Sequence, residues 1–340
     1  MPGPREIGSV VTAFCVYMVA IGLLEPPLTA QTSTNEVHIT PRSAASTIST
    51  SRSSMRPGGA MIPLIRTETA LVLVPVSVTD PSERFVTGLK QENFKIFENK
   101  KPQTIQNFSK EHVPVSIGII LDVSGSMKDK VERVREAVTQ FCEAANPDDE
   151  FFMITFSDQA RVAVDFTLSS EDIERDLLFV QPKGRTSLLD AIQLGLHKMQ
   201  RSRYGRKALL IISDGGDNHS RHSEKQIKAL SKESDVMVYS IGIFDRYVPT
   251  VEEMEGPALL SELAEPTGGR AYTMNNASEI AVVARRIGME LRTQYVLGYR
   301  PRNSTGDGRW HKIRVKLMLP RKFSFLRTHA KTGYYASAQY

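Results

Sequence analysis

The feature that most constrains the fold is an alternation of apolar runs with helix-period segments between residues 115 and 293. Near-continuous apolar runs are typical of strands that are covered on both faces of a parallel sheet. Four such runs occur, at 115–121, 151–156, 208–212 and 236–243. Between them apolar residues recur at helix spacing, as Val131, Val134, Val138 and Phe141 do. The alternation predicts an α/β fold with a doubly wound, mostly parallel sheet.

Both flanking segments have the period of β-strands instead. Val72, Val74, Val76 and Val78 alternate with other residues, and Phe94-Lys95-Ile96-Phe97 indicates a second short strand. Pro75 predicts a sheet edge or a bulge in the first of these strands. In the last segment, apolar residues alternate with Lys and Arg at 312–317. We hypothesise that 294–340 rejoins 63–110 to form a small accessory β unit beside an α/β domain at 113–293.

The first 62 residues differ from the rest in composition. Residues 1–30 resemble a secretory signal peptide, because Arg5 precedes an apolar run and Ala30 offers a cleavage position. The same run is long enough to stay as an N-terminal membrane anchor, so both alternatives stand. Residues 31–62 are rich in Ser and Thr, and this composition indicates a linker. In either case we expect the folded part to be extracytoplasmic, either secreted or periplasmic.

The charge balance excludes one class of partner. Lys and Arg exceed Asp and Glu by only 43 to 38, and the excess is dispersed along the chain. This argues against nucleic-acid binding. Once 1–30 is removed, Cys142 is the only cysteine, so the core has no intrachain disulfide to stabilise it.

Oxygen-bearing side chains collect after two of the predicted buried strands. The carboxyl ends of strands in an open α/β sheet border the ligand crevice. Carboxylates and hydroxyls suit hard cations such as Mg²⁺ (or Mn²⁺ or Ca²⁺), and Mg²⁺ keeps positions for water or an incoming carboxylate. The candidate ligands are Asp122, Ser124 and Ser126 after the first strand, Asp214 after the third, and Thr186 before a helix. They predict a cation site with an open position.

This set resembles the metal-ion-dependent adhesion site (MIDAS) of the von Willebrand factor type A (VWFA) family. The order of the residues, their placement at strand ends and the short motifs around Ser126 and Asp214 all match. The stretch from about 66 to 336 is similar to bacterial secreted VWFA-related proteins. The resemblance implies a metal-binding module for protein–protein interaction or cell adhesion, without catalysis. Its expected partner is a protein that completes the metal sphere with an Asp or Glu carboxylate.

Several neighbouring residues are expected to stay outside the site. We expect Asp190 to be a surface or supporting group, and His219 and His222 to lie in a solvated loop. Asp129 resembles part of an adjacent calcium site of some integrin subunits, but Lys130 stands where a second acid would help.

Two other functions remain open. One is a structural component of an envelope assembly with a structural metal. The other is a metal-dependent hydrolase, which is disfavoured because the sequence shows no Gly-x-Ser-x-Gly or His-Glu-x-x-His motif. We expect a binding module and not an enzyme.

Overall fold

A computed structural model describes residues 71–110, 113–244, 251–274, 279–301 and 307–336. These residues all belong to one unit, Ile65–Tyr340. The predicted signal peptide or anchor and the predicted linker lie outside the described residues. Within the described ranges no helix is long and apolar enough to cross a membrane.

The central element is a six-stranded sheet with the order β10-β9-β8-β5-β6-β7. Every neighbouring pair is parallel except β6 and β7. The four predicted apolar runs are its strands β5, β6, β8 and β9, in which nearly every residue is buried. The strand bounds are β5 Ser116–Asp122, β6 Glu150–Phe156, β7 Ala160–Thr167, β8 Lys207–Ser213, β9 Met237–Ile243 and β10 Ala271–Met274.

Helices cover both faces of this sheet. The helix bounds are α1 Val131–Ala144, α2 Ser170–Leu177, α3 Leu188–Met199, α4 Glu224–Glu233, α5 Val251–Ala264 and α6 Ile280–Thr293. Apolar side chains of α1, α2 and α6 form one core cluster with the sheet, and those of α3, α4 and α5 form another. The predicted doubly wound α/β fold is therefore confirmed.

The flanking segments supply two more sheets, each with four antiparallel strands. Their orders are β13-β1-β11-β4 and β14-β12-β2-β3. Strands of the first segment pair with strands of the last, because β1 pairs with β11 and β2 pairs with β12. The two sheets share one apolar core. The strand bounds are β1 Val72–Thr79, β2 Phe94–Glu98, β3 Lys101–Gln103, β4 Ile105–Ser109, β11 Tyr295–Tyr299, β12 Trp310–Leu317, β13 Arg327–Ala330 and β14 Gly333–Tyr335.

Pro75 lies in a strand with neighbours on both sides. Strand β1 stands between β13 and β11, but β13 pairs only with Val76–Thr79. At Pro75 itself the strand therefore has a neighbour on one side only, where Pro75 faces Val296 of β11. A proline without an N–H is tolerated there because the other side carries no ladder at that position.

Candidate metal centre

Three loops meet at the carboxyl edge of the central sheet. Asp122 is the last residue of β5, and Asp214 follows β8, the strand paired directly with β5. The loop before α3 is attached to the first of these loops by backbone hydrogen bonds. Gly125 N–H donates to Gly184 O at 3.0 Å, and Lys183 N–H donates to Val123 O at 2.8 Å. This pairing places the Thr186 segment beside the Asp122 loop.

Both carboxylate oxygens of Asp122 accept hydrogen bonds. Ser124 N–H donates to Oδ1 at 2.9 Å, and the Ser213 hydroxyl donates to Oδ2 at 2.6 Å. The hydroxyl oxygens of Ser124 and Ser126 are 3.1 Å apart. Asp122 is therefore linked to Ser124 through the Ser124 backbone N–H, and the hydroxyl oxygens of Ser124 and Ser126 lie side by side.

Ser213 is a contributor that the sequence analysis missed. Its hydroxyl also accepts a hydrogen bond from Gly215 N–H at 3.0 Å, so it links the Asp122 carboxylate to the loop after β8. The available signal was its position at the end of a strand next to β5, immediately before Asp214.

Asp214 accepts fewer hydrogen bonds than Asp122 does. Its side chain is 2% exposed. Its Oδ1 accepts a long hydrogen bond of 3.4 Å from Gly216 N–H, and Oδ2 has no hydrogen-bond partner among the described residues. A buried carboxylate oxygen without a donor is costly unless a cation or another donor compensates it.

The ionisation of Asp122 depends on its burial and on the charge of Asp214. Burial, and then the negative charge of Asp214, raise the pKa of Asp122 to about 7. Two buried carboxylates at one position are disfavoured when both are charged, and a divalent cation between them removes that penalty. The residues present therefore fit a hard cation with oxygen ligands.

Thr186 is buried and its backbone is fixed by the loop after β8. Its N–H donates to the side-chain oxygen of Asn218 at 3.1 Å, and its carbonyl accepts from the N–H groups of Asn218 and His219. Two residues earlier, Gly184 has a φ of 86°. A Cβ there would lie 2.6 Å from a carboxylate oxygen of Asp158, so this turn requires glycine.

The neighbouring acids and histidines have other partners. Asp190 Oδ1 accepts from the N–H groups of Arg221 and His222 and lies 2.6 Å from His222 Nδ1. Asp190 thus holds the loop after β8 against the start of α3, as a supporting group. His219, Asp129 and Ser126 are exposed, and Ser126 marks the open side of the site. Among the described residues there is no group of three or more His, Cys, Asp or Glu that could hold a metal ion, so hydroxyls would have to complete the ligand set.

Comparisons with known proteins bear on this region directly. Residues 117–216 match the family model of the von Willebrand factor type A domain. An uncharacterized protein of Borreliella burgdorferi is 24% identical over 184 residues, which are 47% of this chain and 54% of that protein. The chain thus spans about half the length of this relative.

Solved structures of similar fold include three bacterial proteins. A von Willebrand factor type A protein from Catenulispora acidiphila aligns with a TM-score of 0.49 and 13% identity over 80% of this chain and 64% of that one. The conserved hypothetical protein BatB from Bacteroides thetaiotaomicron aligns with a TM-score of 0.42 and 18% identity, over 52% of this chain and 98% of that one. An aerotolerance-related membrane protein from Bacteroides fragilis aligns with a TM-score of 0.43 and 20% identity, over 52% of this chain and 98% of that one.

The family match includes both Asp122 and Asp214, and it coincides with four strands of the central sheet and the helices between them. The expected family is confirmed: this chain contains a von Willebrand factor type A domain.

Proposed function

We propose that this protein is an extracytoplasmic protein-binding module of the adhesion type, which binds its partner through a divalent cation. The observation that carries the proposal is the pair of buried carboxylates, Asp122 and Asp214, at the carboxyl edge of the sheet. Oδ2 of Asp214 accepts no hydrogen bond among the described residues, and burial beside Asp214 raises the pKa of Asp122, so both acids support a cation at this position.

The proposed ligands are the five residues that the sequence predicted: Asp122, Ser124, Ser126, Thr186 and Asp214. Two carboxylates and three hydroxyls suit Mg²⁺, with Mn²⁺ and Ca²⁺ as alternatives. Mg²⁺ takes six oxygen ligands, so at least one position is left for another molecule. When bound, the cation supplies a positive centre to which an Asp or Glu carboxylate of a partner can add.

Two further points support the proposal. Domains of this family are mostly interaction modules, which favours binding over catalysis. The apolar segment at 1–30 supports a location outside the cytoplasm. From the composition and periodicity of the sequence we also propose the chain divisions 1–30, 31–62, 63–110, 113–293 and 294–340.

The direct test is a calorimetric titration of Mg²⁺ into the purified full-length chain. We expect saturable one-to-one binding that is lost in Asp122→Ala and in Asp214→Ala. Asp129→Ala is the matched control, because it removes the same charge from an exposed position between β5 and α1. Binding that survives in both site variants would contradict the assignment of the ligands.

The partner's chemistry can be tested with a displayed library of random peptides. Peptides are captured on the immobilised chain in Mg²⁺ and released with EDTA. We expect the released peptides to share an Asp or Glu whose change to Asn or Gln abolishes capture. If Mg²⁺ raises the thermal stability but no carboxylate-dependent capture is found, the envelope-scaffold function with a structural metal becomes the better description.

A further inference from the structure

A lysine reaches the proposed cation site from the start of α1. Lys130 Nζ donates a hydrogen bond to the carbonyl of Ile243, at the end of β9, at 3.2 Å. The same nitrogen lies 3.9 Å from Oδ2 of Asp214, the oxygen without a hydrogen-bond partner among the described residues. The Lys130 side chain is only 17% exposed.

This position is unfavourable for a lysine by local criteria. Lys130 is the N-cap of α1, where short polar residues are preferred and where the helix dipole disfavours a positive charge. Its side chain makes no capping hydrogen bond. The polar contacts of the Lys130 side chain are instead with the carbonyl of Ile243 and with Asp214.

The ammonium group changes the charge that a cation would encounter. Asp122 and Asp214 carry two formal negative charges, and Lys130 places one positive charge beside Asp214. We infer that Lys130 is a tethered cation that partly compensates Asp214 and thereby weakens the binding of divalent cations at this site. The inference rests on the proposed function, since it concerns the same site, and it assigns to Lys130 the control of metal affinity.

The test compares Mg²⁺ binding to the full-length wild type and to Lys130→Met, which keeps the length of the side chain without its charge. We expect Lys130→Met to bind Mg²⁺ about tenfold to a hundredfold more tightly, the order expected for removing a unit charge a few ångströms from a divalent ion. Without Mg²⁺ the same variant should be less stable to heat than the wild type, because Asp214 loses its compensating charge.

Two further variants separate a local effect from a general one. Lys128→Met removes the same charge from an exposed position two residues earlier and should leave the affinity close to that of the wild type. Lys130→Arg keeps the charge and should keep the weaker affinity.

Each alternative outcome overturns a different statement. Equal Mg²⁺ affinity in the wild type and Lys130→Met, or equal tightening in Lys128→Met, would refute the role of Lys130 and leave the metal site standing. Weaker binding in Lys130→Met would mean that the lysine supports the site. If neither folded protein binds Mg²⁺, both this inference and the proposed function fail.

Discussion

The site is organised by single hydrogen bonds, and the one from Ser213 to Asp122 is the most informative. Both atoms are buried, and the Ser213 hydroxyl lies 2.6 Å from Oδ2 of Asp122. Removing the donor leaves Oδ2 of Asp122 unsatisfied. We expect Ser213→Ala to lower the free energy of unfolding by about 1.5–3 kcal/mol, measured by urea denaturation with EDTA present.

Ser240→Ala is the matched control for that prediction. Ser240 is equally buried in the neighbouring strand β9, but its hydroxyl has no hydrogen-bond partner among the described residues. We expect this change to alter the free energy of unfolding by less than about 0.5 kcal/mol, because no satisfied bond is lost. An equal fall in the free energy of unfolding in the two variants would show that the hydrogen bond from Ser213 to Asp122 does not cause it.

A second residue-scale prediction concerns pH and the accessory sheets. The ring of His311 in β12 lies between two carboxylates, with Nδ1 2.5 Å from Glu98 Oε1 and Nε2 3.2 Å from Asp307 Oδ1. Burial lowers the pKa of His311, but hydrogen bonds and attraction from the two carboxylates outweigh it, so the pKa is raised above its usual value.

A histidine whose pKa is raised on folding stabilises the protein fully below its unfolded pKa, about 6.5, and loses that contribution as the pH rises through the folded value. We therefore expect the wild-type free energy of unfolding to fall, relative to that of His311→Gln, as the pH is raised from about 6. Urea denaturation of both proteins across this range measures the difference, and titrations elsewhere cancel. A constant difference would show that folding leaves the pKa of His311 unchanged.

At this scale the sequence predicts which residues gather but not every contact between them. Asp122, Ser124 and Ser126 were predictable because alternate residues of a tight turn share a side. Their role as metal ligands remains a prediction. The contact of Ser213 depends on β8 lying next to β5, and the contact of Lys130 with Asp214 depends on how α1 is rotated. Neither follows from spacing along the chain.

At the scale of elements, α1 is positioned mainly by α6, and Gly288 allows the two helices to approach closely. A Cβ on Gly288 would lie 2.9 Å from the Cβ of Ala144 and 3.2 Å from the carbonyl oxygen of Phe141. Both atoms belong to rigid parts of α1. Gly288→Ala should therefore destabilise the protein by about 1–3 kcal/mol, although alanine is the better helix former. Thermal denaturation measures the change.

Gly195 in α3 provides the comparison. A Cβ there would approach the Cδ1 of Ile120 at 2.8 Å, which is the far end of a side chain that can move, and its other neighbours are 3.5 Å away. We expect Gly195→Ala to cost clearly less than Gly288→Ala. The reverse order would mean that the α1–α6 contact can relax at this position.

The strands of the central sheet differ in how well the sequence predicts them. The four buried strands were predictable because both of their faces are covered, which makes the apolar runs nearly continuous. Strand β7 gave no such run, because it is an edge strand with much of its surface exposed. The antiparallel pairing of β7 with β6 also could not be read from the composition of either strand.

At the scale of the molecule, the flanking sheets are joined to the type A domain by buried polar contacts. Gln294, just after α6, donates to the hydroxyl of Tyr239 in β9 at 3.1 Å and lies 3.4 Å from the hydroxyl of Ser77 in β1. Its side-chain oxygen accepts from Arg206 at 2.8 Å. The strand periods of the first and last segments indicated that both form strands, but this junction was not predictable, because its members lie far apart in sequence.

The junction predicts that the type A domain and the flanking sheets unfold together. Trp310, the only tryptophan of the chain, lies in β12 and packs edge-on against Tyr335, so its fluorescence reports on the flanking sheets. A ligand present at a hundred times its Kd adds about 2.7 kcal/mol to the free energy of unfolding of whatever unit contains its site. We therefore expect Mg²⁺ at that excess to shift the urea transitions of Trp310 fluorescence and of far-ultraviolet circular dichroism equally in the wild type, and to shift neither in Asp214→Ala. If Mg²⁺ shifts the dichroism transition but not the Trp310 transition, the flanking sheets fold independently. The contacts of Gln294 would then not couple the stability of the flanking sheets to the cation site.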